Sequence, residues 1–254
     1  MTGALWLSRE IRGPRDEHVV EYDPPVLAGR ALAFPCSAGF YARRGDTIVL
    51  TSSGHCYGPE GTVAAGPDGG AIGTWGPRAQ DATCPYPDHT CASSDISYVT
   101  VAVDRIPWGH LNVVNLGSGG YRVLPADTRP LACDDIAIGD PLEISGYLGF
   151  RTGVVAEKRE NLNDVDLAYF PCMVAARVNV ATGDSGGGVM VRGIPAGVMS
   201  RSFGGLLGFT PLAEGLEQLG LELCVTPDCG VAPPQPSRGA GGTIRAPSPL
   251  RRTS

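Results

Sequence analysis

The apolar residues of this chain come in short runs that are cut off almost as soon as they begin. Thr47 to Thr51, Ile96 to Val103, Leu142 to Tyr147, Gly153 to Ala156, Val174 to Val180, Gly188 to Val191 and Ile194 to Met199 are bounded by Gly, Pro or Asp and carry many β-branched residues. Runs of this make-up read as strands, and the 36 Gly and 22 Pro in 254 residues supply the turns between them. No strand-helix-strand rhythm of about 30 residues breaks the pattern. The chain is therefore expected to be all-β, a sandwich or barrel of a length that one such unit reaches. A single helix is expected from Thr210-Pro211, with Leu212, Leu216, Leu219 and Leu223 on one face and an end near Gly220 or shortly after.

The ends have a different character. Residues 1–28 are charged and carry Pro14, Pro24 and Pro25, which suits an extension beside the main body. Residues 229–254 have almost no apolar content with which to offset the entropy of ordering, and are expected as a disordered tail.

Composition removes several classes of function. A net charge of −6 and a pI near 5.2 give no basic surplus for a phosphate backbone, so no nucleic-acid partner is expected. No apolar run approaches the ~18 residues of a membrane span, so no membrane association is expected either. The eight cysteines contain no Cys-x-x-Cys pair, and an even set of this kind reads as disulfides formed in an oxidising compartment. Cys84, Asp88, His89 and Cys91 are a loose metal-like cluster, but their mixed ligand types and spacing favour a bridged loop over a zinc site. Ala4 to Leu7 is too short for the core of a signal peptide, in tension with the cysteines.

Chemistry concentrates in Thr182-Gly183-Asp184-Ser185-Gly186-Gly187-Gly188. A serine between glycines can sit where a substrate carbonyl closely approaches the backbone. The N–H groups of Gly183 and Ser185 are candidates for an oxyanion hole, a device in which one lost donor costs ~10²–10³ in rate. The bland reading is a glycine-rich turn. Ser185 also fits the Gly-x-Ser-x-Gly pattern of α/β-hydrolases, whose histidine follows the serine. Here His18, His55, His89 and His110 all precede Ser185, so that order fails and only the chymotrypsin or subtilisin order survives.

His55 is the candidate base, because an apolar strand stops at Ser52-Ser53-Gly54 and delivers it beside Cys56. A Cys36–Cys56 bridge would hold its loop, and a neutral imidazole can take the serine proton and return it to the leaving amine. A structural histidine after a strand is the alternative. The orienting carboxylate should lead a buried strand, and Asp95 does, with Ile96 to Val103 behind it. Asp81, Asp88 and Asp104 are the weaker candidates, and a turn or capping role for Asp95 is its bland reading.

Together, Leu50 to Cys56, Asp95-Ile96 and Gly183 to Gly187 resemble the three signature segments of the trypsin-like (chymotrypsin-family) serine proteases, above all the bacterial secreted, streptogrisin-like branch. Phe34 to Phe40 and Gly208 to Leu212 with the following helix also resemble that branch. The resemblance implies two six-stranded antiparallel β-barrels within 29–228, split near 115–130, with a short C-terminal helix. It implies a serine endopeptidase with His55, Asp95 and Ser185 as catalytic triad, needing no metal or other cofactor, acting as a monomer on protein or peptide substrates outside the cell or in its envelope. Ala196 to Ser202 resembles the strand that walls the specificity pocket, which makes Ser200, Arg201 and Ser202 candidate substrate-binding residues. Asn179 stands where an aspartate would confer trypsin-like preference, so strong selection of Arg or Lys before the scissile bond is not expected. Arg151 or Arg177 is the expected partner of Asp184. The remaining cysteines are expected to pair as Cys84–Cys91, Cys133–Cys172 and Cys224–Cys229. An inactive protease-fold binding protein and a serine esterase with the same triad are the rival readings.

Overall fold

Strand β2 (Thr47–Ser52) shows how the chain sorts its side chains. Successive residues of a strand point to opposite faces, and both faces of β2 are covered. Ile48 and Leu50 enter one apolar cluster with Tyr41, Ile72, Val99, Val101 and Leu111. Val49 points the other way, into a cluster with Phe40, Ile96, Met173, Met190 and Val198. The first cluster is the core of one sheet, and the second joins two sheets. The computed structural model describes residues 28, 29, 32 and 36–234, apart from 68, 82, 87, 117–119, 164–167 and 204.

Six antiparallel strands form the first sheet, which curls around one core as an open first barrel. They are β1 (Tyr41–Arg44), β2, β3 (Val63–Ala65), β4 (Ala71–Arg78), β6 (Ser97–Val101) and β15 (Glu222–Leu223), ordered β15-β1-β2-β6-β4-β3. The second is built from β9 (Pro141–Gly146), β10 (Gly149–Asn163), β11 (Ala168–Arg177), β12 (Gly188–Val191), β13 (Ile194–Phe203) and β14 (Leu206–Pro211). Its order is β10-β9-β12-β13-β14-β11, and pairing of β10 with β11 closes it into a six-stranded antiparallel barrel. One short strand, β5 (Thr90–Cys91), departs from the expected antiparallel pattern and adds in parallel to β11. A hairpin of β7 (Val113–Asn115) and β8 (Tyr121–Val123) lies in the segment connecting the two sheets.

The second barrel sorts its residues in the same way. Val189 and Val191 of β12 enter a core with Leu142, Ile144, Val174 and Phe209, while Met190 between them faces the joint. Full burial of a side chain of this size contributes roughly 1.5–3 kcal/mol, so the period of two serves both cores at once. The helix, α1 (Leu212–Leu219), buries Leu212, Leu216 and Leu219 in the joint. Gly220 adopts the left-handed conformation and ends it, so Leu223, expected on the helical face, lies instead in β15 opposite Ala42.

Four disulfides join Cys36–Cys56, Cys84–Cys91, Cys133–Cys172 and Cys224–Cys229. Cys84 and Cys91 are thus bound to each other and carry no thiolate for a metal. At the boundaries expected for the extension and the tail, Ala28 is buried and bridges Val114, and Cys229 is buried in the first core with Val231 packed against it. Residues 1–27 and 235–254, the rest of those segments, lie outside the described residues.

Candidate active site

The end of β2 and the start of β6 are neighbours, with Ser52 opposite Ser97. That pairing brings together the short turn Gly54–Cys56 that follows one strand and the Ser94-Asp95-Ile96 segment that leads the other. Asp95 Oδ1 accepts the backbone N–H of His55 at 3.0 Å, and Asp95 Oδ2 lies 2.7 Å from His55 Nδ1. Asp95 is buried, at 5% exposure. Burial alone would raise its pKa, but the hydrogen bonds and charge of His55, the Ser200 hydroxyl and the charge of Arg201 hold it below the usual carboxylate value. An ionised Asp95 fixes the proton of His55 on Nδ1 and leaves Nε2 as an acceptor.

Two hydroxyls secure Asp95 from the second barrel. Ser200 Oγ donates to Oδ2 at 2.5 Å, and Thr210 Oγ1 accepts the Asp95 N–H at 3.0 Å. Sequence reasoning placed Ser200 in substrate binding and did not single out Thr210.

Ser185 sits in the loop between β11 and β12. Gly183 has φ +102° and Gly186 has φ +88°, conformations that a side chain disfavours. At Gly186 there is also no room, because a Cβ would lie 2.3 Å from both Ser37 O and Ser52 Oγ. This close approach lets the first barrel grip the loop. Ser37 donates its N–H to Ser185 O and its hydroxyl to Gly183 O, each at 2.7 Å, and Ser53 Oγ donates to Met199 O at 2.6 Å. With those carbonyls turned toward the first barrel, the N–H groups of Gly183 and Ser185 donate to no other group among the described residues.

Asp184 anchors the loop from the other side. Arg151 Nη1 and Nη2 meet its two carboxylate oxygens at 2.8 and 2.7 Å, and the amides of Ala181 and Leu148 donate to them at 2.8 and 3.1 Å. Burial opposes ionisation of Asp184, yet these four donors hold its pKa low. Of the two arginines considered, Arg151 is the partner, while Arg177 is exposed and lies opposite Val154.

His55, Gly183 and Ser185 open on one cavity of about 630 Å³. Val180, Ala181, Thr182, Met199, Ser200, Arg201, Ser202 and Leu207 also line it. Asn179 does not: it is exposed, and its carbonyl accepts Arg151 Nη1 at 2.8 Å. The Ser185 hydroxyl donates to Ser200 O at 3.3 Å, and among the described residues no hydrogen bond joins it to His55.

No family model matches the sequence, and no curated protein is similar to it. Solved structures are. A chymotrypsin of Cellulomonas bogoriensis is 22% identical with a TM-score of 0.59, over 80% of this chain and 100% of that one. Thermobifida fusca protease A is 23% identical with a TM-score of 0.59, over 80% and 99%. A Nocardiopsis protease is 21% identical with a TM-score of 0.57, over 78% and 98%. The fold is that of these bacterial chymotrypsin-like serine proteases, and the chain spans nearly the whole of each.

Proposed function

We propose that this chain is a serine endopeptidase in which Ser185 is the nucleophile, His55 the general base and acid, and Asp95 the orienting carboxylate. The observation that carries the reading is convergence: a histidine held in one tautomer by a buried carboxylate, a serine, and two undedicated backbone donors all border one cavity. In this reaction Ser185 Oγ attacks the peptide carbonyl while His55 Nε2 takes its proton. The oxyanion is stabilised by the Gly183 and Ser185 N–H groups, and the proton passes to the leaving amine as the C–N bond breaks. Water, activated by the same imidazole, then hydrolyses the acyl-enzyme and restores Ser185. This sequence needs no cofactor.

The carboxylate that lines the cavity, Asp184, is taken up by Arg151, the walls Val180, Ala181 and Leu207 carry none, and Arg201 places a positive charge beside them. Both features disfavour Arg or Lys before the scissile bond. Four disulfides fit a protein that works in an oxidising compartment outside the cytosol. No helix among the described residues is long and apolar enough to cross a membrane.

One observation favours a second reading, a binding protein that keeps the fold without turnover: the Ser185 hydroxyl is engaged with Ser200 O rather than with His55. Such contacts commonly tighten only once substrate is bound. A fluorophosphonate probe decides. Labelling of the folded chain that disappears in Ser185→Ala and His55→Ala, with parallel loss of casein cleavage, supports the endopeptidase. Absence of labelling in the folded, processed chain would establish the binding protein instead.

A further inference from the structure

We infer that Ser37 is a positioning residue that sets the oxyanion donors of the second barrel in register with His55 of the first; this rests on the endopeptidase reading above. Every polar group of Ser37 is committed. Its N–H donates to Ser185 O and its hydroxyl to Gly183 O, each at 2.7 Å, and its own carbonyl accepts Ser52 Oγ at 2.8 Å. Ser37 is wholly buried, so a partner lost here is not replaced by bulk water. Gly183 and Ser185 are the residues whose N–H groups are left for an oxyanion, and this one serine holds both by their carbonyls.

The two donors are not secured alike. A peptide plane carries the carbonyl of one residue and the N–H of the next. The plane of the Ser185 N–H contains Asp184 O, which accepts the Gly187 N–H at 2.9 Å. The plane of the Gly183 N–H contains Thr182 O, which accepts no hydrogen bond among the described residues. That plane is the middle of the turn from Ala181 to Asp184, closed by the Asp184 N–H on Ala181 O at 3.1 Å and anchored through Asp184 to Arg151. These anchors all belong to the second barrel. The Ser37 hydroxyl ties the tip of the turn, at Gly183 O, to the barrel that carries the base.

Ser37 is in turn fixed to His55 by two short routes. Cys36, which precedes it, is bridged to Cys56, which follows His55. Ser52, whose hydroxyl holds Ser37 O, ends the strand that delivers His55. A reacting carbonyl must meet the imidazole and the oxyanion donors at once, although they come from different barrels. A misplacement of about 1 Å between such groups costs up to ~10²-fold in rate. The serine hydroxyl closes the circuit from His55 through the bridge and Ser37 to Gly183.

The test uses the full chain with a peptide substrate and a peptidyl trifluoromethyl ketone. Ser185 Oγ adds to the ketone carbon, its proton passes to His55, and the ketone oxygen becomes an oxyanion that draws on the same two donors. Ser37→Ala keeps the N–H on Ser185 O and removes the hydroxyl from Gly183 O. Its kcat should fall about tenfold, short of the ~10²–10³ of a lost donor, with KM within about twofold of the parent. The inhibition constant of the ketone should rise by the factor by which kcat/KM falls, because the lost bond acts on the oxyanion. Ser97→Ala removes another wholly buried hydroxyl, which donates to Ser53 O at 2.7 Å. It should lower Tm comparably and leave kcat and ketone inhibition within about twofold. Ser52→Ala, for use should Ser37→Ala not accumulate as folded protein, frees the Ser37 carbonyl and should show a smaller loss of the same pattern. The inference is overturned, and the endopeptidase left standing, by unchanged kcat in folded Ser37→Ala, by a loss carried in KM with ketone inhibition intact, by an equal loss in Ser97→Ala, or, where Ser37→Ala does not fold, by an unaltered Ser52→Ala. Failure of the folded parent to cleave any peptide and to bind the ketone overturns the endopeptidase reading and this inference with it.

Discussion

Replacing Arg151 with methionine tests how the nucleophile loop is held. The Arg151 and Asp184 side chains are 16% and 3% exposed, so this is a largely buried pair. Removing one partner from such a pair leaves an uncompensated charge and costs roughly 3–5 kcal/mol, reduced to about 2–4 here because water reaches the guanidinium. At roughly 2–4 °C per kcal/mol for a chain of this size, Arg151→Met should lower Tm by about 5–15 °C at pH 7. The pH dependence carries the sign. In the parent, the pKa of Asp184 is depressed, so its contribution is complete above the unfolded value near 3.9 and is lost as pH falls through the folded one. Without Arg151 burial prevails, the folded pKa rises, and the carboxylate is penalised at neutral pH but relieved on protonation. The gap between parent and variant should therefore be widest near neutrality, narrow toward about pH 4 as the variant's carboxylate protonates, and close only below that, where the parent's contribution is lost as well. Arg151→Met combined with Asp184→Asn should recover part of the loss. Melting curves across pH measure all three; a gap below about 1 kcal/mol at pH 7, or one constant with pH, would refute the burial argument.

Three further outcomes follow from the geometry. Ser200→Ala removes the hydroxyl that donates to Asp95 Oδ2, and kcat/KM should fall about tenfold and Tm by about 3–6 °C, each in line with about 1.5 kcal/mol for a bond to a charged group; an unchanged rate would remove Ser200 from the machinery. Gly186→Ala puts a methyl 2.3 Å from Ser37 O and Ser52 Oγ at a φ of +88°, and should cost more than about 4 kcal/mol, read as failure to accumulate folded protein. Asp95 and Asp184 both have depressed pKa values, so the stability they supply should persist down to about pH 4 and decline below it; acid titration by circular dichroism checks this.

Much of the site was legible because its parts announce themselves locally. His55 follows a strand end of small residues, Asp95 leads an apolar run, and Ser185 is wrapped in glycines. The partner of Asp184 was not legible, because Arg151 and Arg177 lie on paired strands and only the β10–β11 register separates them. Ser37, Ser52, Ser53 and Thr210 were missed for a different reason. A serine or threonine in a strand or turn looks the same whether it faces water or ties two barrels together. Strand β4 was passed over because Gly73, Gly76 and Pro77 interrupt it, and β15 because its two residues continue the leucine period of the helix before them. Asn179 was judged by its distance in sequence from Ser185, whereas the turn of the backbone there presents its carbonyl to Arg151.

The pairing of β15 with β1 has a consequence for how such a chain is made. Arg43 and Glu222 are 179 residues apart, yet they face each other across the first sheet and their side chains form an ion pair. Cys224 then donates its N–H to Tyr41 O at 3.0 Å, and Leu111 donates to Pro227 O at 3.1 Å. A ribosome that has released the whole first half has therefore not released what borders it. Synthesis at about 5–20 residues per second leaves that edge uncovered for several seconds, open to pairing with another chain. Contacts this distant along the chain also make the search for the native state slow. Vectorial folding, half after half, is thus not open to this topology, and the first barrel is among the last parts of the molecule to be finished.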